Sequence, residues 1–120
     1  MSKRTVVDWL SDIVSWGERL EGHLRAVDRD AFFRDKMLQD AACKCAEAIG
    51  EAAGKLDDLY PDLNQGFPDL NLKLARRSRD RLAHGYYRIE LEILWITVTS
   101  AIPKTVAAAR EARLKYGSGL

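Results

Sequence analysis

Apolar residues recur at intervals of three and four along most of this 120-residue chain, a spacing that favours helices over strands. Over residues 4–26 they form one face of a predicted first helix: Val6, Leu10, Ile13, Val14, Leu20 and Leu24. A chain of this length builds one hydrophobic core. We therefore predict an all-α fold, an up-and-down bundle of four main helices plus a shorter C-terminal helix. The predicted domain spans residues 1–116, with a flexible tail at 117–120.

The second helix is predicted to be long. Asp28 or Asp30 can cap the segment after the first helix, and Phe32, Phe33 and Met37 lead into the second. Its small-residue face should allow a close approach of another helix, and its two glycines should lie where a neighbouring backbone passes nearby. That face comprises Ala41, Ala42, Cys45, Ala48, Ile49, Ala52, Ala53 and Leu56, and the two glycines are Gly50 and Gly54.

Residues 61–71 carry two prolines, a glycine and several Asn and Asp residues, which predicts a loop. Asn71 can cap a third helix, and Gly85 can end that helix in the left-handed conformation. Pro103 can occupy the first turn of a further helix. The helices predicted from these signals are residues 72–84, residues 90–102 and a fifth from Pro103.

Neither a metal, a disulfide nor a membrane segment is predicted. Cys43 and Cys45 are two residues apart, so on a helix they point in different directions and are expected to be reduced and buried. His23 is expected to have a packing or surface role. The uncharged stretch 93–103 is too short to span a bilayer. With no signal peptide recognised at the N-terminus, we expect a cytoplasmic protein without cofactors.

Positive charge is concentrated in one segment. Residues 73–88 carry six basic groups and one acidic group, a net charge of +5. Residues 1–72 have a net charge of −5, and residues 89–120 a net charge of +1. The chain as a whole, at +1, is not basic, so general affinity for nucleic acid is not implied. The focus of charge on one segment instead indicates a local site for phosphate groups.

The same segment holds an arginine and a histidine five residues apart, Arg79 and His84. An arginine can hold a phosphate oxygen and stabilise its charge, and a histidine can move a proton near neutral pH. Asp80, one turn before His84, can orient the imidazole. Arg79 and His84 are therefore the predicted catalytic pair of a metal-free ribonuclease. The predicted phosphate contacts are Arg76, Arg77, Arg81 and Arg88.

Attack by a ribose 2′-hydroxyl uses both a base and an acid. Each chain offers one suitable histidine, His84, which cannot serve as both. A homodimer with its two-fold axis near the motif would supply two histidines. We therefore predict a homodimer. Tyr87 and Trp95 are candidates for stacking on RNA bases, although for Trp95 the favoured role is core packing.

The residues around this motif resemble the HepT family of the HEPN superfamily, the toxin half of HEPN–nucleotidyltransferase toxin–antitoxin pairs. The family motif is Arg, a polar residue, three variable residues, His, any residue and Tyr, which here spans residues 79–86. Three further segments match in order: residues 8–13, residues 49–52 and residues 94–103. The resemblance covers about residues 6–110.

The resemblance implies a helical-bundle dimer, a metal-independent endoribonuclease and a cognate nucleotidyltransferase antitoxin that adenylylates Tyr86. Asp80 stands where the family often has Asn, Leu72 stands where it often has Trp, and the loop before Leu72 is longer. These departures bear on substrate preference more than on the fold. An alternative function remains open: a non-catalytic HEPN subunit that holds substrate or nucleotide for a nucleotidyltransferase. A third, purely structural helical dimer would leave the charge focus coincidental.

Overall fold

The computed structural model describes the backbone of residues 3–85 and 91–117, and the side chains of residues 3–79 and 91–117. The described part is helical and contains no strand, which confirms the all-α prediction. Its long helices are α1 (Val6–Leu24), α3 (Lys36–Leu59), α5 (Leu72–Gly85) and α7 (Ile102–Gly117). Shorter ones are α2 (Arg29–Phe33), α4 (Leu63–Gly66) and α6 (Leu91–Ile96), with a 3-10 turn at Pro68–Leu70 and a π-helical turn at Thr97–Ala101.

Helix α1 begins after Thr5, which caps its N-terminus together with Asp8. Thr5 accepts a hydrogen bond from the backbone N–H of Asp8, and the Asp8 carboxylate accepts one from the N–H of Thr5. This reciprocal arrangement satisfies two N–H groups that the helix itself leaves unpaired. The same backbone hydrogen bond lowers the pKa of the Asp8 carboxyl. The predicted apolar stripe is buried at Leu10, Ile13, Val14 and Leu20.

The predicted second helix is in fact two helices. Asp28 caps α2 through the N–H of Ala31, as predicted, but Asp35 then caps α3 through the N–H of Leu38. Gln39 fixes the corner because its buried amide donates to the carbonyl of Phe32 at 3.0 Å. The break places Phe32 in the core with none of its surface exposed.

The segment predicted as a loop is more ordered than expected. Residues 63–66 form α4 and residues 68–70 form the 3-10 turn, because Leu63 and Leu70 both bury their side chains in the core. The hydroxyl of Thr105 donates to the carbonyl of Leu70 at 3.0 Å and ties this turn to α7.

Helix α5 begins at Leu72, where it was predicted, but Asn71 has the left-handed conformation (φ 44°) instead of the extended one of a usual cap. The N–H of Leu72 donates to the Asn64 side chain. The helix includes Gly85, so this glycine does not lie beyond its end as predicted.

The predicted break at Pro103 is also wrong, because α6, the π-helical turn and α7 follow one another as a single helical segment of 27 residues. In the π-helical turn the N–H of Ile102 reaches back to the carbonyl of Thr97. We infer that this wider turn relieves the clash that a proline ring makes with the preceding turn of an α-helix.

By length and composition alone the segment Leu91–Gly117 could cross a membrane. It packs on α1, however, and buries one stripe in the core: Leu94, Val98, Ile102, Val106, Ala109 and Ala112. In the most apolar 18-residue window of this segment 33% of the residues are buried, and length and composition are by themselves weak evidence for a membrane span.

Both cysteines lie in the core, as predicted. Cys43 and Cys45 are free and buried in α3. Burial raises the pKa of the Cys43 thiol to about 12, helped by Glu47 and Asp40, and burial raises the pKa of the Cys45 thiol as well. Both thiols are therefore protonated at neutral pH and act as small apolar side chains. His23, in the last turn of α1, is exposed.

Candidate functional site

Arg79 is positioned by a close contact between α3 and α5. A Cβ atom built on Gly50 would lie 2.2 Å from the Cβ of Arg79 and 2.6 Å from the carbonyl oxygen of Ala75. Only a glycine leaves room for that carbonyl, since a backbone atom cannot swing aside. The prediction that a neighbouring backbone passes Gly50 is therefore confirmed. For Gly54 the same prediction is not confirmed, because its nearest neighbours are atoms of the Arg76 side chain, 3.4 Å away at the closest.

Arg79 lies between two clefts. The α3–α5 cleft, of about 250 Å³, is lined by Gly50, Glu51, Gly54, Lys55 and Asp58 of α3 and by Arg76 and Arg79 of α5. The α1–α3 cleft, of about 320 Å³, is lined by Trp9, Asp12 and Trp16 of α1, by Lys44, Glu47, Ala48, Glu51 and Ala52 of α3, and by Arg79. Arg79 and Glu51 line both clefts. An extended polymer that occupied both clefts would therefore pass Arg79.

In the α3–α5 cleft, Arg76 is held by carboxylates. Its guanidinium donates to both oxygens of Asp58, at 2.7 and 3.2 Å, and lies 3.7 Å from Asp57. The hydrogen bonds from Arg76 lower the pKa of the Asp58 carboxyl, which is therefore ionised at neutral pH. A carboxylate and a phosphate present the same fork of oxygens to arginine. Asp58 consequently occupies the guanidinium face that a phosphate would use.

The other residues predicted for the site lie on different faces of α5 or beyond it. Arg77 is exposed, and on a helix it lies about 160° around the axis from Arg79. His84 lies in the last turn of α5, about 140° around the axis from Arg79 and about 7.5 Å further along it. The side chains of Asp80, Arg81 and His84, and all of Tyr86, Tyr87 and Arg88, lie outside the described residues.

Among the described residues, the aromatic side chains that line a cleft with Arg79 are Trp9 and Trp16, and the stacking candidate Tyr87 lies outside the described residues. Trp95 packs against Phe32 with ring centroids 5.1 Å apart, which makes it a core residue. Trp9 and Trp16 lie in the α1–α3 cleft instead. They are seven residues apart and share one face of α1, a signal that the sequence contained, but their proximity to Arg79 depends on how three helices pack.

Among the residues that the structure describes, no group of three or more His, Cys, Asp or Glu side chains could hold a metal ion. The expectation of a metal-independent site therefore stays a prediction.

Comparison with known proteins places the chain among ribonucleases. The family model described as "Ribonuclease HepT-like" matches residues 17–112. A protein of Thermococcus cleftensis named "Probable ribonuclease HepT" is 33% identical over 101 residues, which cover 84% of this chain and 89% of the relative. In Methanocaldococcus jannaschii, "Putative RNase MJ0127" is 31% identical over 111 residues, covering 92% and 89% of the two chains. No solved structure is significantly similar to this chain.

Proposed function

The chain belongs to the ribonuclease HepT-like family, and on that premise we propose that it is an endoribonuclease of the toxin type with Arg79 and His84 as its catalytic pair. The observation that carries the proposal is the place of Arg79, at the junction of two clefts on the helix that continues to His84. The relatives named as ribonucleases support the reaction class.

The proposed reaction is attack of a ribose 2′-hydroxyl on the adjacent phosphorus. A bond forms between the 2′-oxygen and phosphorus, and the bond between phosphorus and the 5′-oxygen of the next nucleotide breaks. The 2′-hydroxyl loses a proton to a base, and the 5′-oxygen gains one from an acid. Arg79 stabilises the negative charge on the phosphoryl oxygens, and His84 transfers protons.

The position of His84 suits this role. It lies in the last turn of α5, where the helix dipole favours the protonated imidazole. Asp80, one turn earlier, orients the ring. Because one histidine cannot be base and acid in one turnover, we propose a homodimer in which His84 of each chain faces a shared cleft.

The remaining arginines of α5 and the residues after it would hold flanking phosphates. Arg77 is exposed to solvent, and Arg76 can exchange the Asp58 carboxylate for a phosphate because an ion pair in water is weak. Arg81 and Arg88, whose side chains lie outside the described residues, would add further positive charge for RNA.

The first test is expression without an antitoxin, followed by cleavage of RNA by the purified protein. We expect growth arrest, and cleavage that continues in EDTA because the proposed chemistry uses only arginine and histidine. Loss of all cleavage in EDTA, restored by a divalent ion, would contradict the metal-independent mechanism. If the protein is folded but causes no growth arrest and cleaves no RNA, the result would favour the alternative function, a non-catalytic subunit that holds substrate for a nucleotidyltransferase.

The second test concerns control by a partner. We propose that a cognate nucleotidyltransferase transfers AMP from ATP to the hydroxyl of Tyr86 with release of pyrophosphate, which would add phosphate charge and a bulky base next to the catalytic motif. Co-expression should raise the intact mass by one or more AMP units, and Tyr86→Phe should remove the increment and stay toxic. Tyr87→Phe is the matched control and should still be modified. Neutralisation of an unmodified protein would mean that the partner acts by covering the cleft.

A further inference from the structure

The α1–α3 cleft has a composition that phosphate binding does not explain. Two of the three tryptophans of the chain, Trp9 and Trp16, form its α1 wall, and three carboxylates line it with them. The small side chains of Ala48 and Ala52 lie between these walls and leave the volume of about 320 Å³ open. Aromatic rings beside hydrogen-bond acceptors suit a flat, polar ring that carries hydrogen-bond donors.

Each tryptophan already interacts with a cation on one ring face. The guanidinium of Arg4 lies 4.2 Å from the ring centroid of Trp9, and that of Arg19 lies 4.4 Å from the ring of Trp16. The ammonium of Lys44 lies 5.8 Å from the Trp16 ring. Both arginines are exposed surface residues, so their side chains can move away without opening the core.

Stacking of a nucleobase on a tryptophan ring is stronger than the contact of an arginine with the same ring. A cation over an aromatic ring at an exposed site contributes roughly a 2- to 5-fold effect on an equilibrium. Stacking of a nucleobase on an aromatic side chain contributes roughly 5- to 150-fold per base. A base can therefore replace Arg19 over the Trp16 ring, whereas Arg4 is also held by the Asp12 carboxylate at 2.6 Å.

The polar groups of the cleft indicate which bases would fit. The indole Nε1–H of Trp9 is buried and has no hydrogen-bond partner in the part of the chain that the structure describes. Glu47 and Glu51 offer acceptors, Asp12 already accepts from Arg4 at 2.6 Å, and a carboxylate accepts well from an exocyclic amino group. Uracil lacks such a group, and its imide N3–H lies between two carbonyl oxygens that the carboxylates would repel.

We propose that the α1–α3 cleft binds one unpaired nucleobase with an exocyclic amino group, adenine, cytosine or guanine, next to the phosphate held by Arg79. This inference rests on the proposed ribonuclease function, which it deepens by giving a source of base preference. Arg79 lines the cleft, so a base seated there would place its own phosphate at the junction with the α3–α5 cleft.

The test measures binding without cleavage. The protein with Trp95→Phe keeps only the two cleft tryptophans as indole fluorophores, because the chain has three tryptophans in all. The probes are three 2′-O-methyl hexanucleotides, which lack the attacking hydroxyl: one of adenine, one of uracil and one without bases. We expect saturable quenching with the adenine probe, binding that is weaker by roughly 5- to 150-fold without bases, and an intermediate affinity for the uracil probe.

Variants separate stacking from structure. Binding of a fluorescein-labelled adenine probe should weaken by roughly 5- to 150-fold in Trp16→Leu and recover largely in Trp16→Phe, which restores an aromatic face. Tyr116→Leu removes an exposed aromatic side chain of α7 that lines a different cavity, and it should bind like the parent. Circular dichroism shows whether each variant is folded.

The outcomes are decisive in both directions. Equal affinity for the adenine probe and the probe without bases, or no loss in a folded Trp16→Leu variant, overturns the base site. Equal affinity for adenine and uracil overturns the selection of amino-bearing bases. RNA cleavage by the parent, measured in parallel, distinguishes failure of the base site from failure of the ribonuclease proposal.

Discussion

Alanine at His84 will lower the rate of RNA cleavage by about 100- to 10,000-fold, the range that a positioned proton-transfer group contributes. Alanine at Arg79 will lower it by about 100- to 1,000-fold, since a fixed donor to a charged oxygen contributes that much. The measurement is the single-turnover cleavage rate of purified protein, with helix content followed by circular dichroism. The matched control is Arg77→Ala, which removes an exposed arginine of the same helix and should weaken RNA binding without a comparable loss of rate.

A parental rate in a folded His84→Ala variant would refute the catalytic assignment. A mixing experiment tests the shared cleft. An excess of inactive His84→Ala protein added to the parent should lower the cleavage activity below the level expected from dilution alone, if both histidines act in one site. Full activity in a protein that light scattering shows to be monomeric would exclude the two-chain mechanism.

Alanine at Gly50 should both destabilise the protein and impair cleavage. The added methyl group would meet the carbonyl of Ala75 and the Cβ of Arg79, so α5 must move away from α3. Forcing a methyl group into such a contact costs about 1–3 kcal/mol. A shift of about 1 Å in a group that positions a substrate can reduce the rate by about 100-fold. Thermal unfolding and cleavage rate, measured at a temperature where the variant is folded, check the two effects.

Gly54→Ala provides the matched control because it adds the same methyl group to the same helix. Its nearest neighbour would be the flexible Arg76 side chain at 3.4 Å, an ordinary contact. Alanine is also the better helix former by about 1 kcal/mol, so this variant should be as stable as the parent or more so. Similar behaviour of the two alanine variants would mean that the Gly50 contact does not position Arg79.

Short-range chemistry made several features predictable. The apolar spacing located α1, Asp28 was recognised as a cap, and α5 begins at Leu72 as expected, because each depends on neighbours within one or two turns. The motif from Arg79 to Tyr86 and the order of the matching segments also indicated the family. These signals are local, so the residues alone are enough to find them.

Long-range packing decided the rest. The break at Asp35 occurs where Phe32 enters the core, and Pro103 stays inside a helical segment because a π-helical turn precedes it. The packing role favoured for Trp95 is confirmed, and its partner in the core is Phe32, a residue distant in the chain.

The candidate site depends on the same kind of information. The carboxylate partner of Arg76 is 18 residues away, and Trp9 and Trp16 lie on a different helix from Arg79. Helical spacing tells which residues share a face of one helix. Which faces meet is decided by close approaches such as that of Gly50 to Ala75, between residues distant in the chain.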